Sequence, residues 1–202
     1  MKAFQNHTGK AVALLQSNID TDQILPKQFL KRTEKSGYGE FLFYDWRYDA
    51  NGNPNENFIL NQPRFQDASV LLAGVNFGGG SSREHAPWAL QDFGFRIIVA
   101  ASFADIFYNN CFKIGLLPIV LTTEIVAKLA RRAENFDDYL ITADLANLEI
   151  SDNKNFCAAF QVDDFRRRLL LEGLDEIGLT LRFENEISRY EKRREDWLVS
   201  IE

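Results

Sequence analysis

The sequence predicts a mixed α/β fold, parallel in the middle and antiparallel later, on three observations. Apolar runs at residues 10–15, 70–73, 96–100 and 116–121 read as strands, and helical spacing separates the later ones. A glycine-rich stretch leaves the second run and leads into an amphipathic segment, the order strand, turn, helix. From Ala146 onward the hydrophobic period becomes two, which calls for antiparallel pairing.

In chain order, residues 10–15 form the first strand and run into residues 16–26, rich in Ser, Asn, Asp and Thr. These types bond their own backbone and favour turns and caps. Asp20 and Asp22 flank Thr21, and hydrogen-bonded loop scaffolding is favoured there over a metal or substrate site. No Asp-x-Asp-x-Asp-Gly calcium loop follows. Residues 29–39 are basic and then glycine-punctuated, a mobile loop. The aromatic run 41–48 reads as packing, and 51–57 consists of turn formers. Pro63 and Asp67 bound the approach to the strand at Val70.

After the strand at 96–100, Ser102-Phe103-Ala104-Asp105 has the form of a capping box, with Gly115 placed to end the helix. Pro118 assigns the strand at 116–121 to an edge or irregular position. A short helix over 124–133 carries Ile125, Val126, Leu129, Ala130 and Ala133 on one face. Ala146, Leu148 and Ile150, then Phe156, Ala158, Phe160 and Val162, alternate across a turn at 153–155, which predicts a hairpin. A helical region begins at about residue 163. Leu174, Ile177, Leu181, Ile187, Tyr190 and Trp197 continue it at near-helical spacing, and the charged stretch 189–196 reads as a solvated face.

The chain's 202 residues suit one domain spanning 1–202, with that helical C-terminal region included. Hydrophobic content of 46% with 26% charged residues excludes global disorder. A net charge of −6 argues against nucleic-acid binding, and no apolar run is long enough for a bilayer. The first residues lack a signal-peptide core. Two cysteines, Cys111 and Cys157, are too few for a disulfide framework or a cysteine-held metal centre. A reducing cytoplasm is the expected compartment.

The chemistry concentrates in Gly74-Val75-Asn76-Phe77-Gly78-Gly79-Gly80-Ser81-Ser82-Arg83-Glu84-His85. Glycines let backbone approach a ligand, and a helix N-terminus favours an anion. A P-loop would need a lysine where Gly80 stands, and a dinucleotide fingerprint would need a third glycine where Arg83 stands. Ser81-x-x-Glu84 also has capping-box form, but with Ser81 as cap Pro87 would break the ladder as the sixth helical residue. A helix starting at 84–86 tolerates Pro87 in its first turn and leaves Ser81 and Ser82 in the loop.

Gly78 to His85 resembles the Gly-Ser-Ser-Arg-Glu-His signature of the aconitase superfamily's swivelling domain. Residues 18–26, 43–48 and 103–111 match further blocks in the right order, so that nearly the whole chain is similar to the 3-isopropylmalate dehydratase (isopropylmalate isomerase) small-subunit family. The resemblance implies a single swivelling β/β/α domain with a mixed sheet or barrel-like core and flanking helices. It also implies a hydro-lyase of leucine biosynthesis that interconverts 2- and 3-isopropylmalate by dehydration and rehydration. A large subunit would carry a [4Fe–4S] cluster, leaving this chain without a metal and Cys111 and Cys157 as small core residues.

By the same resemblance Ser81 is the catalytic base, its anion stabilised by loop N–H groups and the helix N-terminus. Ser82 and Arg83 hold a substrate carboxylate, with Arg32 a second carboxylate contact and Phe29 and Leu30 meeting the isopropyl group. Asp20, Thr21, Asp22, Gly78, Gly79 and Gly80 support the loop, and Glu84 and His85 hydrogen-bond behind it. Residues 29–33 keep two alternatives open, a homoaconitase or citraconate-type hydro-lyase, because Lys31 and Arg32 suit an extra carboxylate. A non-catalytic anion-binding module is the third reading.

Overall fold

A seven-stranded mixed sheet of order β4-β3-β2-β1-β5-β6-β7 runs through the computed structural model, which describes residues 1–31 and 36–194. Strand β1 (Asn6–Leu14) pairs in parallel with β2 (Ala68–Ala73) and antiparallel with β5 (Leu140–Asp144). Outward from β2 lie β3 (Ile97–Ala100) and β4 (Leu117–Val120), both parallel. Outward from β5 lie β6 (Glu149–Asp152) and β7 (Cys157–Ala159), both antiparallel. The expected mixed α/β architecture is therefore what forms, and Pro118 sits on edge strand β4, where a missing N–H costs no ladder bond.

Apolar runs without polar alternation suit the parallel half because both faces are covered. Val70, Leu72, Ile97 and Val99 face one core with Val126, Leu129, Ala130 and Ala133 of α5 (Thr123–Asn135). Leu71, Ala73, Ile98 and Ala100 alternate onto the other face. There they meet Ala86, Ala89 and Leu90 of α3 (His85–Phe93) and Phe107 and Cys111 of α4 (Asp105–Ile114). Two short helices, α1 (Thr21–Ile24) and α2 (Tyr44–Arg47), precede them. The aromatic run does pack: Phe43 stacks on Trp46 at 5.4 Å, and Phe29 stacks on Phe41 at 4.1 Å.

Three expectations are corrected. Helix α4 begins after Ala104 without a side-chain cap; Ser102 Oγ instead accepts the Asn76 N–H at 2.8 Å, and Ser102 O accepts that of Phe77 at 3.0 Å. The would-be capping residue is thus used to tie down the glycine-rich loop. Ala146 and Leu148 lie in a tight turn, not a strand, because Asp144 accepts from Asn147 and Leu148 takes φ +54°. That turn joins β6 to β5, a strand not foreseen, so the hairpin is part of a three-strand meander. Cys111 is buried as expected, whereas Cys157 is exposed on outer strand β7.

The C-terminal helical region divides into α6 (Asp164–Glu172), α7 (Glu176–Leu181) and α8 (Glu184–Glu191). Gly173 at φ +68° ends α6, and the Asp175 carboxylate caps α7 through the Gly178 N–H at 2.7 Å. Backbone bonds from Phe4 N–H to Leu170 and from the terminal ammonium to Gly173 moor the segment to the start of the chain. Beyond them Ile177, Leu181 and Tyr190 stay exposed, so the apolar stripe does not pack on this chain as a continuous helix would. Trp197 lies outside the described residues.

The meander is organised by one carboxylate. Asp152, its side chain fully covered, accepts from Arg132, from the Tyr139 hydroxyl at 2.8 Å, and from the Lys154 and Phe156 N–H groups at 2.8 Å each. Burial alone would raise its pKa, but the bonds from Tyr139, Phe156, Arg132 and Lys154 outweigh it and hold it below 3.8. Asp152→Ala is expected to cost roughly 3–5 kcal/mol in urea unfolding at pH 7, since it strands a guanidinium and two backbone donors. That stabilisation is present above pH 3.8 and is lost as pH falls through the depressed folded value.

Candidate active site

The glycine-rich loop leaves β2 beside the loop that leaves β1, as parallel strands require. Their backbones continue to pair beyond the sheet. Asn18 N–H donates to Val75 O at 2.8 Å, Gly78 N–H to Ile19 O at 2.7 Å, and Thr21 N–H to Gly79 O at 2.8 Å. Thr21, only 2% exposed, closes the clamp: its hydroxyl donates to Ser81 O and accepts the Ser81 N–H, each at 3.1 Å. Asp20 is a helix cap, its carboxylate accepting the Gln23 N–H at 2.7 Å while the Gln23 side chain accepts the Asp20 N–H. Residues 20 and 21 thus spend their side chains on hydrogen bonds within the two loops.

Within the loop the glycines are not equivalent. Gly78 sits at φ +81° with a Cβ direction that would fall 2.2 Å from the Phe107 ring. Gly80 has φ +90°, whereas Gly79 avoids the left-handed region and has nothing nearer than 3.7 Å. Helix α3 starts after Glu84, so Pro87 occupies its first turn and Ser81 and Ser82 stay exposed in the loop.

Arg83 connects these parts. Its Nη2 donates to Ser81 Oγ at 3.1 Å and lies 2.6 Å from Asp22 Oδ1, an ion pair outside hydrogen-bond alignment. Lys27 holds the other Asp22 oxygen at 3.3 Å. Arg83 Nη1 is buried and has no partner. Gly78 and Ser81 N–H groups are committed inside the loop, so the donor that reaches the Ser81 hydroxyl is the Arg83 guanidinium, not those amides.

Two hollows meet at Arg83. The smaller, about 270 Å³, is lined by Ser81 with Thr21, Gly78, Gly80 and Phe107. The larger cleft, about 730 Å³, is lined by Leu30, Ser82, Arg83, Glu84 and His85 on one side. Its opposite wall is Ile106, Asn109, Asn110 and Lys113 of α4. Sequence reasoning gave these four no role; their 106, 109, 110, 113 spacing is one helix face and was the signal available. Phe29 is not in the cleft but stacked on Phe41, and Arg32 lies outside the described residues.

His85 packs its ring against Tyr38 at 5.3 Å and Trp88 at 4.7 Å rather than hydrogen-bonding behind the loop. Among the described residues no cluster of His, Cys, Asp or Glu has the makings of a metal site. Cys111 is buried in α4, where burial pushes its thiol well above the usual range, and Cys157 is exposed on β7.

An aconitase C-terminal domain model matches residues 1–124, and a model for the C-terminal domain of the 3-isopropylmalate dehydratase small subunit matches residues 176–197. The 3-isopropylmalate dehydratase small subunit of Brevibacillus brevis is 55% identical over 194 residues, spanning 96% of this chain and all of that one. The chain belongs to the 3-isopropylmalate dehydratase small-subunit family. The homologous protein of Bacillus subtilis, also a 3-isopropylmalate dehydratase small subunit, is 54% identical, with 98% of this chain and 99% of that one covered. The crystal structure of a 3-isopropylmalate dehydratase chain from Methanocaldococcus jannaschii superposes at TM-score 0.65 with 28% identity, covering 92% of this chain and 99% of that one.

The loop glycines and the imidazoles each yield a measurable expectation. Gly78→Ala is expected to destabilise by about 1–3 kcal/mol from backbone strain, with the Phe107 clash in addition, whereas Gly79→Ala stays near wild type in urea melts. Burial lowers the pKa values of both histidines below 6.5, with further lowering by Arg96 and Lys2 at His7 and by Arg83 at His85. The unfolded chain then binds more protons just below pH 6.5, so stability falls as pH drops through that window. The urea midpoint should decrease between pH 7.5 and 5.5, and the decrease should shrink in a His7→Gln, His85→Gln variant.

Proposed function

We propose that this chain is the small subunit of 3-isopropylmalate dehydratase, and that Ser81 removes the proton in its dehydration of 2-isopropylmalate. The supporting observation is the Arg83 guanidinium, which donates one N–H to the Ser81 hydroxyl and belongs to the residue that lines both hollows.

A serine hydroxyl is a poor base near neutral pH unless its anion is stabilised, and a fixed cation at hydrogen-bond distance supplies that. Ser81 takes a proton from the carbon next to the substrate carboxylate, the hydroxyl departs from the neighbouring carbon, and isopropylmaleate results. Water added in the opposite sense gives 3-isopropylmalate. Arg83 and Ser82 bind a substrate carboxylate, while Leu30 offers the isopropyl group an apolar contact, backed by the Phe29 and Phe41 stack. Arg32 is the second carboxylate contact that the resemblance implies, Asp20, Thr21, Asp22, Gly78, Gly79 and Gly80 support the loop, and Glu84 stands behind it, with His85 held there by its ring contacts to Tyr38 and Trp88.

Departure of hydroxide needs a Lewis acid, which the [4Fe–4S] cluster of a large subunit supplies. That partner closes over the mouth of the two hollows, and the assembly works in the cytoplasm in leucine biosynthesis. No helix among the described residues is long and apolar enough to cross a membrane.

Reconstitution with a cluster-loaded large subunit tests the proposal. Wild type should turn over 2-isopropylmalate only in the complex, and Ser81→Ala should lower kcat by about 10²–10⁴-fold with co-elution of the two proteins unchanged. Undiminished turnover by Ser81→Ala would remove the serine from the chemistry.

A further inference from the structure

Thr21 and Asn110 are buried polar residues of contrasting standing among the described residues. The Thr21 hydroxyl is satisfied twice by Ser81. Asn110, 7% exposed, makes no side-chain hydrogen bond, although its amide offers two donors and an acceptor. Among the described residues the enclosed side-chain atoms without a hydrogen-bond partner are Asp22 Oδ1 and Arg83 Nη1, so the Asn110 amide is one that solvent still reaches, and a polar side chain this covered with only water to bond calls for a reason.

Its place in the fold supplies one. Asn110 lies on the face of α4 that forms one wall of the 730 Å³ cleft, across from Ser82 and Arg83. The polar neighbours on that face are already engaged. Asn109 accepts from Arg166, and Lys113 pairs with Glu176 at 3.1 Å. The Asn110 amide therefore lines the cleft without a partner within the chain, across from the Arg83 guanidinium.

We propose that Asn110 is a further substrate-binding residue, its amide N–H donating to the carboxylate that the Arg83 guanidinium grips. A carboxylate carries two oxygens with about four lone-pair sites, so it accepts from both without displacing either. The neutral amide adds a contact on the helix wall without adding charge to the cleft. This inference rests on the proposed function, since it takes the cleft to be the substrate site.

The test uses the reconstituted two-subunit enzyme with 2-isopropylmalate as the varied substrate. Asn110→Leu should raise KM about tenfold or more, with kcat changed far less, and should leave the thermal midpoint of this chain unchanged or higher. Asn110→Asp keeps the size but sets a carboxylate against the substrate's, and should raise KM further. Unchanged KM in both variants overturns the assignment, as does a lowered thermal midpoint with KM unaffected, the mark of a structural role. Should Asn110→Leu fail to fold, the near-isosteric Asn110→Asp decides by the same KM comparison. A wild-type complex that does not act on 2-isopropylmalate overturns the underlying functional reading, and this inference falls with it.

Discussion

Parallel pairing of β1 with β2 is the constraint on which the rest of the site depends. Parallel neighbours end side by side, so the two loops that leave them emerge at the same edge of the sheet, where ligand sites of α/β folds form. Here the pairing does not stop at the strand ends. Asn18, Ile19 and Thr21 bond backbone to backbone with Val75, Gly78 and Gly79, so two loops behave as a short extension of the sheet. Gly74 is part of the same logic, because a Cβ there would lie 2.5 Å from the carbonyls of Leu15 and Gln16. Ser81 is positioned by this framework and not by a helix.

The charges of the site follow from the same clamp. Thr21 and Asp22 are consecutive: the first fixes the Ser81 backbone and the second meets the Arg83 guanidinium. With its side chain 13% exposed, Arg83 needs an anion nearby, and Asp22 provides it from one side only. The enclosed, unpartnered Nη1 is thus a small loss of stability at the residue that joins the two hollows, a local conflict of the kind that marks functional loops.

Legibility from sequence divided along physical lines. Continuous apolar runs revealed β1 to β4, Pro118 marked an edge, and Gly115 ended α4 at φ +88°, because each feature has one local cause. Pro87 alone placed the start of α3, and with it Ser81 and Ser82 in the loop. Strand β5 was missed because its alternation, Ile141 and Ala143, is short and merges into the tight turn that follows. Ser102 was misread because its local cue for a cap competed with a tertiary bond to Asn76 that no spacing reveals. The pairing of Arg83 with Asp22 joins residues far apart in the chain and was invisible for the same reason.

Helix α4 packs directly against the glycine-rich loop. Phe107 and Cys111, four residues apart, face the core, and Phe107 meets Phe77 edge-to-face at 5.3 Å. The same Phe107 ring fills the space that a Gly78 side chain would need, so the glycine-rich loop rests directly on this helix. Ile106, Asn109, Asn110 and Lys113 lie on the adjoining face and form the cleft wall. One aromatic contact therefore sets the separation between the Ser81 loop and the Asn110 wall. A change at Phe107 would alter both at once, without touching a group that reaches the cleft.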